Sequence, residues 1–137
     1  MNQFDKMLEQ WQPVALSMFR FITGLLLFQY GVAKILKFPV VPMFAKMPPL
    51  IVAAGTIELV LGALLIIGLF TRLSAFVLSG QMAFAYFLGH MFKNPDNPVF
   101  LPILNGGTLS IAFCFACLYL ATAGGGPYSV DATMGKK

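Results

Sequence analysis

The chain has 137 residues, of which 58% are hydrophobic and 10% are charged, whereas soluble domains average about 45–50% apolar and about 25% charged residues. A chain of this length has too little interior volume to hide so much apolar surface from water. The composition therefore excludes an ordinary soluble domain and favours a protein of the lipid bilayer. The net charge of +4 comes from basic residues scattered along the chain, a pattern that does not indicate nucleic-acid binding.

Four apolar stretches are long enough for membrane helices, which need ~20 mostly apolar residues. They cover residues 13–36, 50–70, 73–92 and 104–123. Their apolar runs are continuous rather than alternating, which argues against the strands of a membrane barrel. We therefore expect an all-α protein, a single domain over residues 1–137 that forms a four-transmembrane-helix antiparallel bundle. Thr71 and Arg72 would make the tight turn between the second and third helices.

The first stretch contains two cations, Arg20 and Lys34. A charge at membrane depth costs at least ~2.5–3.5 kcal/mol on insertion scales, so it is treated first as a functional group. At 100° per residue, both cations lie within about 80° of Gly24 and Gly31 on the helix surface. Small residues allow a neighbouring helix to approach closely. Both cations are therefore expected to face the interior of the bundle.

The second stretch contains one carboxylate, Glu58, on the same helix face as two glycines. In an antiparallel hairpin, Glu58 is expected level with Phe28, about 9 Å along the axis from Lys34 and about 12 Å from Arg20 at 1.5 Å per residue. We expect Glu58 to pair with one or both cations. The pair either only fixes helix register, a role that buried ion pairs sometimes have, or forms a polar pocket that binds a ligand or carries protons.

The third stretch adds Gln81 and His90. Counted from the expected turn, Gln81 lies about one helical turn from Glu58 and is expected to donate an amide hydrogen bond to the same polar cluster. His90 lies near the other end of the helix. It is either an ordinary interfacial histidine or a haem ligand or proton relay.

The fourth stretch contains a C-x-x-C pair, Cys114 and Cys117. The two sulfurs lie about 60° apart on one helix face together with other small residues. They either pack against a neighbouring helix or form a redox-active dithiol. No set of side chains with metal-ligand spacing is visible, so no metal is expected.

Two loops are distinctive in composition. Residues 37–49 are rich in proline yet still apolar, and residues 93–102 are more polar with many turn-forming residues. On the expected topology both lie on the same side of the membrane. They are either plain connectors or a lid over the polar interior of the bundle.

Four motifs in order resemble the DoxX family of small bacterial membrane proteins. They are RFITGLLLFQYGVAKI at 20–35, GTIELVLGALLIIGLFTRLSA at 55–75, NGG at 105–107 and GGGPYSVD at 124–131. The resemblance implies a four-helix integral membrane protein similar to the small membrane subunit of thiosulfate:quinone oxidoreductases. The positions that it singles out are Arg20, Lys34, Glu58, Arg72 and Asn105. It also implies that Asp131 ties the tail to the bundle, or that Asp131 and Ser129 cap a short final turn.

Three functions fit these features. The first is a membrane component or accessory subunit of a redox system linked to quinone, thiosulfate or thiols, with a quinone beside Phe28, Phe84 and Tyr86 and with a partner oxidoreductase. The second is a non-enzymatic assembly or interaction factor for a membrane complex. The third is a small transporter, which would need to form a homo-oligomer. Neither catalytic residues nor a resident cofactor follows from the sequence.

The expected location is the inner membrane of the cell, in contact with the lipid bilayer. The positive-inside rule places cytoplasmic loops where Lys and Arg are in excess. Both termini are expected in the cytoplasm by a margin of five basic residues to four. The five are Lys6, Arg20, Arg72, Lys136 and Lys137; the four are Lys34, Lys37, Lys46 and Lys93.

Overall fold

The computed structural model describes residues 2–135, and this part of the chain is helical without any β-strand. Lys136 and Lys137, which contribute to the expected orientation, lie outside the described residues. The helices are α1 (Gln3–Gln10), α2 (Gln12–Gly31), α3 (Pro49–Ile67), α4 (Thr71–Tyr86), α5 (Pro102–Asn105), α6 (Thr108–Ala123) and α7 (Val130–Thr133). Single π-helical turns extend α2 over Val32–Leu36 and α4 over Phe87–Met91, and a 3₁₀ turn covers Pro42–Phe44. The all-α prediction is confirmed.

The turn between α3 and α4 lies three residues earlier than predicted. Gly68 adopts the left-handed conformation with φ of 74° directly after α3 ends, a common way to end a helix at glycine. Phe70 is also left-handed, with φ of 50°, and Thr71 already begins α4. The prediction of Thr71 and Arg72 as the turn was wrong because the Gly68 stop signal was read as part of the apolar run.

Helices α2 and α3 pack backbone to backbone through glycines. A Cβ built on Gly31 would lie 2.4 Å from the Leu59 nitrogen, and one on Gly62 would lie 2.9 Å from the Phe28 nitrogen. No side chain larger than hydrogen fits at either position without moving a helix. This contact fixes the register between α2 and α3. In this register Gly62 rather than Glu58 lies level with Phe28. The predicted register was therefore wrong by about one helical turn.

The apolar core lies where α3, α4 and α6 meet α2. Its fully buried members include Leu27, Leu65, Leu78, Cys117 and Leu120. Helices α4 and α6 form a second close pair beside the α2–α3 pair. Ser79 on α4 donates its hydroxyl to the Cys114 carbonyl on α6 at 2.8 Å. The bundle is thus built from two closely packed helix pairs.

Two helices among the described residues are long and apolar enough to cross a membrane. They are α2 with its π turn, over Gln12–Leu36, and α3, over Pro49–Ile67. Helix α6 is apolar but has 16 residues. The fourth stretch was expected to begin at residue 104, but Gly106, with φ of 74°, separates α5 from α6.

Candidate ligand site

Lys34, Glu58 and Gln81 form one polar group inside the bundle, contributed by three different helical segments. The Lys34 ammonium donates to Glu58 Oε1 at 2.8 Å and to Oε2 at 3.2 Å. The Gln81 amide nitrogen donates to the same Oε1 at 2.8 Å. Both the ion pair with Lys34 and the hydrogen bond from Gln81 agree with the sequence prediction. The carboxylate is thereby held by three hydrogen bonds.

The burial of the group is unequal. The Glu58 side chain is 3% exposed, whereas that of Lys34 is 14% exposed. The rings of Tyr30 and Phe44 lie 5.9 and 5.5 Å from the Lys34 nitrogen, within the range of cation–π attraction. Gln81 Oε1 is buried and has no hydrogen-bond partner. Lys34 is therefore better placed than Glu58 to contact a ligand in the cavity, and Glu58 holds the Lys34 ammonium in position.

A cavity of about 910 Å³ opens beside this polar group. Lys34, Glu58 and Gln81 lie on its wall, together with His90. The rest of the wall is mainly apolar and comes from α2, α3, α4 and α6, with members such as Leu27, Tyr30, Ile57, Phe84, Leu88 and Phe113. Mostly apolar walls with a few convergent polar groups are typical of small-molecule sites.

The apolar loop over residues 37–49 covers part of the cavity. Met43 and Phe44 line the cavity wall, and the Lys37 ammonium donates to the Phe44 carbonyl at 2.6 Å. This contact fixes the 3₁₀ turn above Lys34. In the second loop, Phe100 instead accepts a hydrogen bond from Tyr86 at 3.1 Å. The loop over residues 37–49 therefore contributes to the cavity wall; we call it the lid loop, although its role as a lid stays a prediction.

Arg20 does not join the Glu58 group. Its guanidinium donates to the Leu65 carbonyl at 2.9 Å and the Gly125 carbonyl at 2.6 Å, and more weakly to the Ile66 and Tyr128 carbonyls. Leu65 and Ile66 lie at the carboxyl end of α3, where a cation is favoured by the helix dipole, and Gly125 and Tyr128 belong to the carboxyl-terminal tail. The alternative that Glu58 pairs with Arg20 was wrong, because the register places Arg20 opposite the end of α3.

Asn105 is also separate from the Glu58 group. Its amide donates to the Val99 carbonyl at 2.9 Å and to the Tyr86 hydroxyl at 3.2 Å, and its side-chain oxygen accepts from Gly107 N at 2.8 Å. Its backbone carbonyl lies 3.2 Å from Nδ1 of His90. Asn105 therefore organises the connection into α6 and fixes one side of the His90 ring at the cavity wall.

The carboxyl-terminal tail is tied to the end of the bundle opposite these loops. The Asp131 carboxylate accepts from the backbone nitrogens of Phe70 and Thr71, both at 2.9 Å, at the start of α4. Ser129 Oγ accepts from Ala132 N at 3.1 Å and caps α7. The first alternative is thus confirmed for Asp131, which ties the tail to the bundle, whereas Ser129 caps α7 without Asp131. Arg72 donates to the carbonyls of Ala121 and Thr122 at the end of α6.

Cys114 and Cys117 are both free thiols. Cys117 is fully buried and belongs to the apolar core, while Cys114 is partly buried next to Ser79. Their sequence spacing places them on the face of α6 that packs against α4. Over residues 2–135, no three or more His, Cys, Asp and Glu side chains come together in a group that could hold a metal ion.

The aromatic residues around the site differ from those predicted. Phe84 lines the cavity as expected, whereas Tyr30 and Phe44 replace Phe28 and Tyr86. Tyr86 is buried, and its hydroxyl donates to the loop. The error follows from the register, because moving Glu58 one turn along α2 takes it away from Phe28. The sequence signal that could have placed Phe44 at the site was the apolar character of the lid loop.

Comparisons with known proteins identify one family and one relative. A sequence model of the DoxX family matches residues 15–91. An "Uncharacterized protein" of Haemophilus influenzae is 38% identical over 133 residues, which cover 95% of this chain and 98% of the relative. No solved structure matches the chain. The family match contains Lys34, Glu58 and Gln81, so the whole polar group lies within the family region.

Proposed function

The chain belongs to the DoxX family of small membrane proteins, and from this premise we propose that it binds a quinone in the cavity beside Lys34 and Glu58. In this proposal it is a membrane component of a redox system. The observation that carries the proposal is the ion pair on the wall of a large, mainly apolar cavity. A quinone has the matching chemistry, an apolar ring with carbonyl oxygens at its edge.

The proposal places four helices across the inner membrane of the cell. Helix α4 and its π turn are continuous over Thr71–Met91, and α6, with 16 residues, is about 24 Å long at 1.5 Å per residue. The outer surfaces of these helices carry many exposed apolar side chains, including Phe76 and Phe115. Lipid is the solvent that suits such surfaces, and short spans are accommodated by local thinning of the bilayer.

The charge balance of the site favours an uncharged ligand. Lys34 and Glu58 neutralise each other at 2.8 Å, so the cavity offers no excess cation for an anion such as thiosulfate. A volume of about 910 Å³ lies within the ~300–1,000 Å³ range of small-molecule pockets. The apolar wall accepts the ring, and the polar group gives it an orientation.

Each polar residue has a distinct role in this proposal. Lys34 donates a hydrogen bond to a quinone carbonyl oxygen, since it is the more exposed partner and has three donor hydrogens. Glu58 holds the ammonium in place by accepting from it with both oxygens. Gln81 in turn holds Glu58. Lys34 is thus the binding residue, whereas Glu58 and Gln81 are positioning residues.

A quinone site implies an electron-transfer partner. In this proposal the chain supplies the quinone site within the bilayer, and a partner oxidoreductase exchanges electrons with the bound quinone. The lid loop lies at the same end of the bundle as the polar group, which makes this end the expected docking side. Copurification of an oxidoreductase would support this part of the proposal.

Quinone binding to the purified protein in lipid nanodiscs tests the proposal. We expect K34M to weaken binding by at least tenfold, because a charge-assisted hydrogen bond contributes about 1.5–3 kcal/mol. E58Q is expected to weaken binding by a smaller factor, because it keeps the shape and one acceptor oxygen but removes the charge and the second acceptor that hold Lys34. Retention of radiolabelled quinone is a suitable readout.

K93M is the matched control, because Lys93 is an exposed cation at the same end of the bundle. It should bind quinone like the wild type. Equal affinity of K34M and wild type would contradict the proposed site. A wild-type protein that binds no quinone, yet whose loss lowers the abundance of another membrane complex, would instead favour the assembly role.

A further inference from the structure

Gly80 lies in the middle of α4 although packing does not require a glycine there. A Cβ built on Gly80 meets no atom within 4 Å, whereas one on Gly31 would lie 2.4 Å from a backbone nitrogen. Gly80 is also not among the described residues with a positive φ. Since glycine is the poorest helix former apart from proline, α4 loses stability at this position without a gain in packing.

The open space at Gly80 belongs to the cavity of the proposed site. Gly80 lies on the cavity wall next to Gln81 and on the same helix face as Val77 and Phe84. Phe84 is 67% exposed, and Leu50 on the facing helix α3 is 64% exposed. Both of these apolar side chains line the cavity. The cavity is therefore open sideways between α3 and α4, where the bundle meets the bilayer.

We propose that Gly80 keeps a lateral passage open, through which the hydrocarbon chain of the ligand extends from the polar site into the bilayer. This inference rests on the proposed function and adds a substrate class to it. The ligand is a quinone with a long alkyl or isoprenoid chain, entering from the lipid. Gly80 thus determines specificity for the hydrocarbon chain of the ligand.

Two further observations support a hydrocarbon chain in the passage beside Gly80. The polar group is continuous with the passage, because Gly80 and Gln81 line the same cavity and Gln81 donates to Glu58 at 2.8 Å. Gly89, the next glycine along the same helical segment, also faces open space and also lines the cavity. Side chains are thus missing at two positions of the cavity lining, and this leaves room for an extended apolar group.

Two variants separate this role from a structural one. G80A should raise the thermal midpoint, since alanine is the better helix former and has room for its methyl group. G80L should remain folded but fill the passage. We expect it to weaken binding of a benzoquinone with a decyl chain at least tenfold, and to change binding of the same ring with a methyl group less than threefold.

A112L is the matched control, because Ala112 is exposed on α6 and does not belong to the cavity wall. It should leave both affinities unchanged. Equal weakening of both quinones by G80L, unchanged binding of both, or failure of G80L to fold would overturn the role of Gly80 and leave the quinone site standing. A wild type that binds neither probe would overturn the proposed function and, with it, this inference.

Discussion

Arg20 connects three segments of the chain through one buried side chain. Its guanidinium reaches two carbonyls at the end of α3 and two in the carboxyl-terminal tail, and the residue is 4% exposed. A planar fork of five donors suits this arrangement, which a lysine could not reproduce. Arg20 therefore stabilises the fold rather than the ligand site.

We predict that R20M lowers the free energy of unfolding by about 3 kcal/mol. Carbonyls that lose their donor in a buried place cost about 1–3 kcal/mol each, and water can satisfy some of them near the end of the bundle. Denaturant titration in detergent micelles measures the change. K93M, at an exposed site, should change stability by less than about 0.5 kcal/mol. Similar stabilities of R20M and K93M would refute the structural role.

The polar residues also show what sequence can predict at this scale. The charged side chains within the apolar stretches were correctly expected to face inward, because the cost of a charge in lipid favours inward-facing partners. Whether Lys34 or Arg20 pairs with Glu58 depends on the register between α2 and α3, and a shift of a few ångströms along the helix axis changes the partner. That register is set by which glycines meet which backbone atoms, and a helical wheel does not contain this information.

At the scale of the elements, glycines in the same fold have two opposite roles. Gly31 and Gly62 allow α2 and α3 to touch through their backbones. This close approach brings Lys34 within 2.8 Å of Glu58. Gly80, by contrast, faces open space on α4. Composition alone treats these residues alike, and only the packing separates them.

We predict that G31A lowers the free energy of unfolding by about 2 kcal/mol, within the range for overpacked positions. The new methyl group would lie against the backbone of Leu59 and push α2 away from α3. G80A is the matched control and should raise the free energy of unfolding by about 0.5–1 kcal/mol through helix propensity. Stabilisation by both substitutions would show that α2 and α3 are not in backbone contact.

Helix ends were harder to predict than helix interiors. The four apolar stretches correspond to α2, α3, α4 and α6, because long apolar runs at this spacing leave few alternatives. The observed helix ends differ from the predicted ones where single glycines adopt the left-handed conformation, as at Gly68 and Gly106. The short helix α1 lies in the polar segment before the first stretch and was not expected. Its Asn2 cap, which accepts from Asp5 N at 2.8 Å, was the available signal.

At the scale of the whole molecule, the start of α2 and the carboxyl-terminal tail lie at one end of the bundle and the lid loop at the other. Ser17, near the start of α2, accepts a hydrogen bond from Tyr128 N in the tail at 3.2 Å. Lys37 and Phe44 lie beyond the far end of α2. We propose four membrane crossings for this arrangement, with both termini in the cytoplasm.

Cysteine accessibility tests this topology. In a background with Cys114 and Cys117 replaced by alanine, N2C and M134C should be labelled by a membrane-impermeant maleimide only after the cells are opened. N97C and A45C should be labelled in intact cells with a permeable outer membrane. Labelling of N2C and N97C from the same side would contradict four crossings. The opposite pattern in all four variants would reverse the orientation and leave the bundle unchanged.

The central claim is that Lys34 and Glu58 form a quinone site, and the quinone content of protein purified from native membranes tests it most directly. The protein is extracted in mild detergent, and its quinone is quantified against K34M and K93M prepared in parallel. The proposal predicts close to one quinone per wild-type or K93M chain and at least a tenfold loss in K34M. Quinone at the level of the surrounding lipid in all three samples would contradict the site.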